Sequence, residues 1–379
     1  PVFAALPESA TEIAVLINNL GVAPRVPVVA EGDPLAKGVT VDSVVSAATM
    51  DTSLAGPYQL GWLTAAADGS SDTTTTDTTV TVTIAGDVTF ESDSAALSAQ
   101  ADSVLATAVS QLAQYPSGGS LTIVGHTDDV ADDAHNQTLS EQRAQAVSDR
   151  LAQLTDMKPW KVSVSGKGEK EPRVNDTTDE ARAANRRVEL TATPAKPDEA
   201  SAATASPTPS AAASSALPTP AGPVGTGADG VDVADTGEKN TTLHLSLDQV
   251  IRSGGFLFGN VKVTYSETSP GGFVAPSEQR LGVPYPALAR WTSEWSNAGV
   301  VGMTLLAGTT RLYPVDFDGN GDGKPAMVTG PTSTAKFGAT PVVWADAGQD
   351  TVTLDIPGGK YHGNPLLAAR LTDIPVMAA

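Results

Sequence analysis

Apolar and polar positions alternate with different periods along this chain, and the clearest pattern runs from 80 to 194. Val80 to Ile84 reads as a strand extending towards Phe90. A helix follows from about Ser94 to Tyr115, because Leu97, Ala101, Val104, Leu105, Ala108 and Leu112 recur at helical spacing. Pro116 and Gly118-Gly119 end it. Leu121 and Ile123 alternate with Thr122 and Val124, the period of a half-buried strand, and run into a loop that begins at Asp128. Leu139, Val147, Leu151 and Leu154 mark one face of the next helix, with Thr138 and Glu141 in capping-box spacing at its start. A strand over Val162 to Ser165, a Gly-rich turn, a short helix near Thr178 to Ala184 and a strand over Arg187 to Ala192 complete the stretch. Helices alternating with strands predict a two-layer α/β sandwich.

The flanks have other periods. From about Thr241 to Ala379 the apolar positions alternate by two, as in Leu243, Leu245 and Leu247, then Val261, Val263 and Tyr265, then Val352, Leu354 and Ile356. Gly and Pro clusters separate these runs, which predicts an all-β region closed as a sandwich. Trp291, Trp295 and Trp344 each lie near an apolar run and read as core or rim packing. At the other end Ile13, Val15 and Ile17 suggest a strand, and the Pro-rich run after Leu20 argues against a long helix. The expected organisation is an α+β multidomain chain. It has a β-rich or irregular segment (1–67), a Thr-rich spacer (68–79), the α/β sandwich (80–194), an Ala/Ser/Thr/Pro linker (195–239) and the β-sandwich (240–379). Lys196 to Gly230 is too poor in apolar residues to bury a core, so the two larger regions are expected to act independently.

Composition narrows the function classes. The chain of 379 residues contains no Cys, which removes disulfides, thiol catalysis, thiolate metal sites and a Cys-linked lipid. Its net charge of −20 argues against nucleic acid and anionic membrane surfaces as partners. No apolar run is long enough for a transmembrane helix. Because the sequence begins at Pro1 without Met, a leader or anchor is expected to have been removed or to lie outside it.

The most specific chemistry sits in Gly125 to Ala144. Arg143 falls four residues after Leu139 and four before Val147, on the apolar face of its helix, so its charge points inward unless something anionic meets it. Asp128, at the end of the preceding strand, is the available carboxylate. One reading is a partly buried ion pair that orients the loop. The other is a clamp in which carboxylate and guanidinium hold the ammonium and carboxylate of one amino-acid end.

These residues belong to a longer pattern of Thr127-Asp128, Asn136, Leu139-Ser140, Arg143-Ala144, Gly166, Gly168, Pro172 and Asn185 to Glu189. That order resembles the peptidoglycan-binding domain of the OmpA/MotB C-terminal type over roughly residues 80 to 194. The resemblance implies that Asp128 and Arg143 bind the free end of diaminopimelate in the peptidoglycan stem peptide. It places Thr127, Leu139, Asn136 and Asp93 in the same pocket, with backbone N–H groups at the start of the Thr138 helix available to an anionic group. Two positions depart from the family: Ala131 replaces a usual glycine, and Ser92 replaces the second aromatic after Phe90. The implied setting is the bacterial cell envelope, in periplasm or wall, with peptidoglycan as partner and a homodimer or another envelope protein as a further one.

Other motifs are weaker. Gly166-Lys167-Gly168 lacks the rest of a phosphate loop. His126 and His135 with Asp128, Asp132 and Asp133 lack the tight spacing of a zinc site. Asp316, Asp318, Asn320 and Asp322 have the alternate-oxygen spacing of a calcium loop but no terminal acidic ligand, and a Gly/Asp hairpin is the alternative. No G-x-S-x-G or H-E-x-x-H motif occurs, so the expected function is non-catalytic wall binding. The alternatives are a wall-targeted hydrolase and a calcium-dependent adhesion or scaffold protein.

Overall fold

The computed structural model describes residues 11–17, 21–28, 59–76, 78–195, 217–235, 241–266, 301–318, 326–327, 337–361 and 364–378. An N-terminal hairpin pairs β1 (Glu12–Ile17) with β2 (Gly21–Pro27). Next come β3 (Gln59–Ala66), β4 (Ser71–Thr75) and β5 (Val80–Ala85), then the short helix α1 (Gly86–Thr89) and the longer α2 (Ala101–Ala113). They are followed by β6 (Gly119–His126), α3 (Asp133–Leu154), β7 (Trp160–Gly166), α4 (Asp179–Asn185) and β8 (Arg187–Pro194).

The expected α/β layers are present. β5 pairs antiparallel with β8, β8 with β6, and β6 parallel with β7. Val80, Val82, Ile84, Leu121, Ile123, Val188 and Leu190 form one apolar face, and α2 and α3 cover it with Val104, Leu105, Leu112, Val147 and Leu151. The opposite face is polar, with Thr81 opposite Thr191 and Thr122 opposite Ser163. Close approach of α3 to this sheet depends on two glycines. A Cβ on Gly125 would lie 2.1 Å from the Ser140 carbonyl oxygen, and one on Gly166 would lie 2.3 Å from Ser140 Oγ.

Both long helices begin elsewhere than their apolar stripes suggest. α2 starts at Ala101 rather than Ser94 because 90–98 folds back on α1: Ser98 N donates to Thr89 O, Ser98 Oγ donates to Val88 O, and Phe90 bridges Leu97. Leu97 reaches the core from that loop, which is why it mimics a helical position. α3 starts at Asp133 and is capped by Asp132, whose carboxylate accepts from Ala134 N and His135 N. Thr138 lies inside the helix, its hydroxyl donating to Ala134 O. The Ala134 and His135 N–H groups at the start of α3 are therefore taken by Asp132, and Thr138 does not begin the helix.

The Asp68–Thr79 run is not a spacer. Ser71–Thr75 form β4, which pairs with both β3 and β5. Threonine's branched Cβ favours a strand, and both faces of this one are covered. Ser71 Oγ meets Thr107 Oγ1 of α2, and Asp72 is held by Arg173.

Beyond residue 216 the strands are β9 (Val224–Thr226), β10 (Val231–Asp235), β11 (Thr241–Ser246), β12 (Val250–Ser253), β13 (Phe256–Ser266) and β14 (Thr304–Ala307). They continue with β15 (Thr310–Leu312), β16 (Asp316–Asp318), β17 (Ala326–Met327), β18 (Phe337–Ala345), β19 (Thr351–Tyr361) and β20 (Asn364–Ala378). β9 and β10 fall within the stretch expected to be linker. One ladder runs β10-β11-β13-β18 and another β9-β20-β19-β14-β15. A single core draws on both, with Leu243, Leu245 and Val261 from the first and Leu305, Leu354 and Leu371 from the second. The ladders are also joined directly, because β12 pairs with both β13 and β20. Trp344 is fully buried in this core and donates Nε1–H to Met303 O, whereas Trp291 and Trp295 lie outside the described residues.

The α/β layer and the β region share one ladder. β15 and β16 pair with β3, β3 pairs with β4, and β4 pairs with β5. This continuity is at odds with the independence expected from the low-complexity run, because strands N-terminal to that run pair with strands C-terminal to it. Among the described residues no helix is long and apolar enough to cross a membrane.

Candidate functional site

The site lies where the C-terminal end of β6, the first turns of α3 and the loop after α1 meet. Asn136, Leu139, Ser140 and Arg143 all lie on the buried face of α3. Arg143 is only 5% exposed. Its guanidinium carbon stands 5.0 Å from the centre of the Phe90 ring, and its Nε–H donates to Ser94 O at 2.8 Å. Neither Nη group has a hydrogen-bond acceptor among the described residues, and no carboxylate lies within ion-pair distance. Burial draws the Arg143 pKa below the usual arginine value, while Asp87, Asp93 and Asp128 act in the opposite direction and Arg186 adds to the lowering.

Asp128 and Arg143 do not pair with each other. The Asp128 Oδ2 accepts from Arg186 Nη1 at 2.5 Å, and the same guanidinium grips Asp87 through Nε and Nη2, both at 2.6 Å. Hydrogen bonding to Asp87, with Asp128 adding to it, raises the Arg186 pKa despite burial. The second Asp128 oxygen accepts only a long bond from Val130 N at 3.4 Å. Arg186 and Asp87 thus join the candidate site, although in the sequence Arg186 figures only within the Asn185 to Glu189 block and Asp87 not at all. The register does so: Ala85 lies opposite Arg187, which brings the start of α1 beside the end of α4. Gly86 N donates to Arg186 O, and a Cβ on Gly86 would sit 2.7 Å from that oxygen.

The remaining expected residues surround this centre. Thr127 is buried, its N–H donating to Gly168 O at 2.9 Å while Oγ1 has no partner among the described residues. Asn136 is a brace: its Nδ2 donates to Asp128 O, Ala131 O and Glu169 Oε2, the last at 2.6 Å. It ties the Asp128 loop to the loop after β7. Asp93 is exposed at the rim, has a left-handed backbone with φ 49°, and pairs with His135 Nε2 at 2.8 Å. Leu139 is buried beside them.

The two histidines considered for a metal diverge. His126 is buried, neither ring nitrogen has a hydrogen-bond partner of good geometry among the described residues, and the Glu189 carboxylate stands 4.0 Å from its Nε2. Burial, helped by Arg187, pushes its pKa down to about 4. No cluster of His, Asp and Glu suited to a metal occurs among the described residues. At the calcium-spaced motif, Asp316 is buried in β16 opposite Met327 of β17, so the strands form a hairpin. Asp318 ends β16, and Asn320 and Asp322 lie outside the described residues.

Residues 89–186 match the OmpA family and form an OmpA-family domain. The chain is 41% identical over 103 residues to outer membrane porin F of Pseudomonas aeruginosa, covering 27% of this chain and 29% of that protein. It is 36% identical over 118 residues to outer membrane protein A of Escherichia coli O157:H7, covering 28% of this chain and 34% of that protein. The chain thus spans about a third of the length of these relatives. Among solved structures, the cell wall anchor of the T6SS from Pseudomonas aeruginosa is 32% identical, with a TM-score of 0.28, covering 31% of this chain and 83% of that one.

Proposed function

We propose that this chain is a non-catalytic cell-envelope protein whose 80–194 region binds peptidoglycan through the free end of diaminopimelate. The family match and the ordered motif blocks support the ligand class. The observation that carries the site is Arg143: a buried guanidinium placed on an aromatic ring, with both Nη groups unpaired and three carboxylates in its field. A ligand carboxylate supplies the missing bidentate acceptor. The ligand ammonium goes to Asp128, whose Oδ1 holds only the weak Val130 contact among the described residues, while Arg186 grips Oδ2 and orients the carboxylate. Thr127 Oγ1 is a further free hydrogen-bonding group at that depth. An extracytoplasmic location follows from the proposed ligand.

The test is a pull-down of the full chain with purified sacculi, competed by free diaminopimelate. Asp128→Ala and Arg143→Ala are expected to abolish binding while the protein stays folded. Retained affinity per folded molecule in both variants would overturn the assignment of the site. Release of muropeptides by the wild-type chain would show a hydrolase.

A further inference from the structure

The OmpA-family match covers 89–186, yet the loop that lines one wall of the site is bonded to a residue outside that range. The loop from Lys167 to Val174 contacts the site directly, since Gly168 O accepts from Thr127 N and Glu169 accepts from Asn136. Gly168 N donates to Ser140 Oγ, and Asn185 clasps Val174 at the far end. Between these anchors Arg173 turns away from the site and grips Asp72 of β4 with a two-pronged contact, Nη1 to Oδ2 at 2.6 Å and Nη2 to Oδ1 at 3.2 Å. Both side chains are largely buried, at 16% and 11% exposed. β4 is in turn held by β3, and β3 by β15 and β16 of the β region. Tyr313, whose N–H donates to Leu63 O, is buried within reach of the charges of Asp72 and Arg173.

We propose that Asp72 and Arg173 are a positioning pair that locks the 167–174 loop of the ligand site to the flanking strands, so that wall affinity depends on residues outside 80–194. The inference rests on the proposed peptidoglycan function. A bidentate pair in a poorly solvated place is directional, and removing one partner leaves the other charge buried and the loop free to shift.

The experiment uses the full chain with purified sacculi as the probe, together with hydrogen exchange at the Thr127 amide. Asp72→Ala is expected to weaken sacculus binding by roughly three- to thirtyfold, the range of coupling through positioning residues, and to speed exchange at Thr127. The double variant Asp72→Ala/Arg173→Met removes both charges. Its melting temperature is expected to return towards the wild-type value, while affinity stays reduced and Thr127 stays less protected. If affinity and protection recover together with stability, the pair is only structural and the proposal fails. It also fails if Asp72→Ala leaves affinity within about twofold of the wild type. Should Asp72→Ala not fold, the double variant decides alone. If the wild-type chain does not bind sacculi, the peptidoglycan reading fails, and exchange at Thr127 still decides whether Asp72 positions the loop.

Discussion

Arg143 stands out in the sequence as a candidate because a guanidinium on an apolar helix stripe is costly without a purpose, and the structure buries it on that face. Its neighbours were not recognisable in the same way. Arg186 reaches Asp128 across 58 positions of sequence, and no local spacing announces that. His126 carries a second residue-scale consequence. Its folded pKa of about 4 lies below the ordinary value of 6.5, so the folded state binds fewer protons than the unfolded state between these values. The stability that comes from keeping it neutral is complete above about pH 6.5 and is lost as pH falls towards 4, a change on the order of 2–3 kcal/mol. Calorimetry from pH 7 to 4 should show His126→Leu losing less melting temperature than the wild type. Parallel curves would mean that His126 does not control this slope.

The elements meet the site through their ends. Asp132 caps α3 and thereby fixes the turn that carries Asn136. Asp132→Ala is expected to cost about 1 kcal/mol by loss of the cap, measured by urea denaturation, and to weaken sacculus binding modestly. At Gly125 the sheet and α3 nearly touch, and the clash of an added Cβ is with backbone. Gly125→Ala should therefore destabilise by about 1–3 kcal/mol, the range for overpacking. An unchanged denaturation midpoint would show that α3 can retreat from the sheet without penalty. The apolar stripe overshoots the start of α2 because Leu97 fits helical spacing but packs on the core from a loop tied down by Ser98.

For the whole molecule, the shared ladder makes an assembly out of what composition suggests are two bodies. β3 and β4 precede the Ala/Ser/Thr/Pro run, and β15 and β16 follow it. If a protease site is inserted between Ala211 and Ala212 and then cut, the two fragments are expected to co-elute on size exclusion and to unfold in one calorimetric transition. Separation of the fragments under native conditions would show that the β3 pairings do not hold the regions together.

Between 80 and 194 the strands and the helices other than α1, their buried faces, and the placement of Asp128 after a strand and Arg143 on a helix followed from period and motif, whereas the strand expected to run on towards Phe90 gives way to α1 at Gly86. These features depend on neighbours three or four residues away, or two in a strand. Strands at Leu243 to Leu247, Val261 to Tyr265 and Val352 to Ile356 were also readable in part, since alternating runs and Gly/Pro breaks are local. Other features depended on contacts between distant segments. A threonine-rich run has the same composition as spacer or strand, and here pairing with β3 and β5, under cover from Thr107 and Arg173, makes it a strand. Likewise, the pairing of Asp128 with Arg186 rather than Arg143 depends on β5 lying against β8. Charge and hydrogen-bond partners across a sheet are set by register, and register is decided by the packing of the whole.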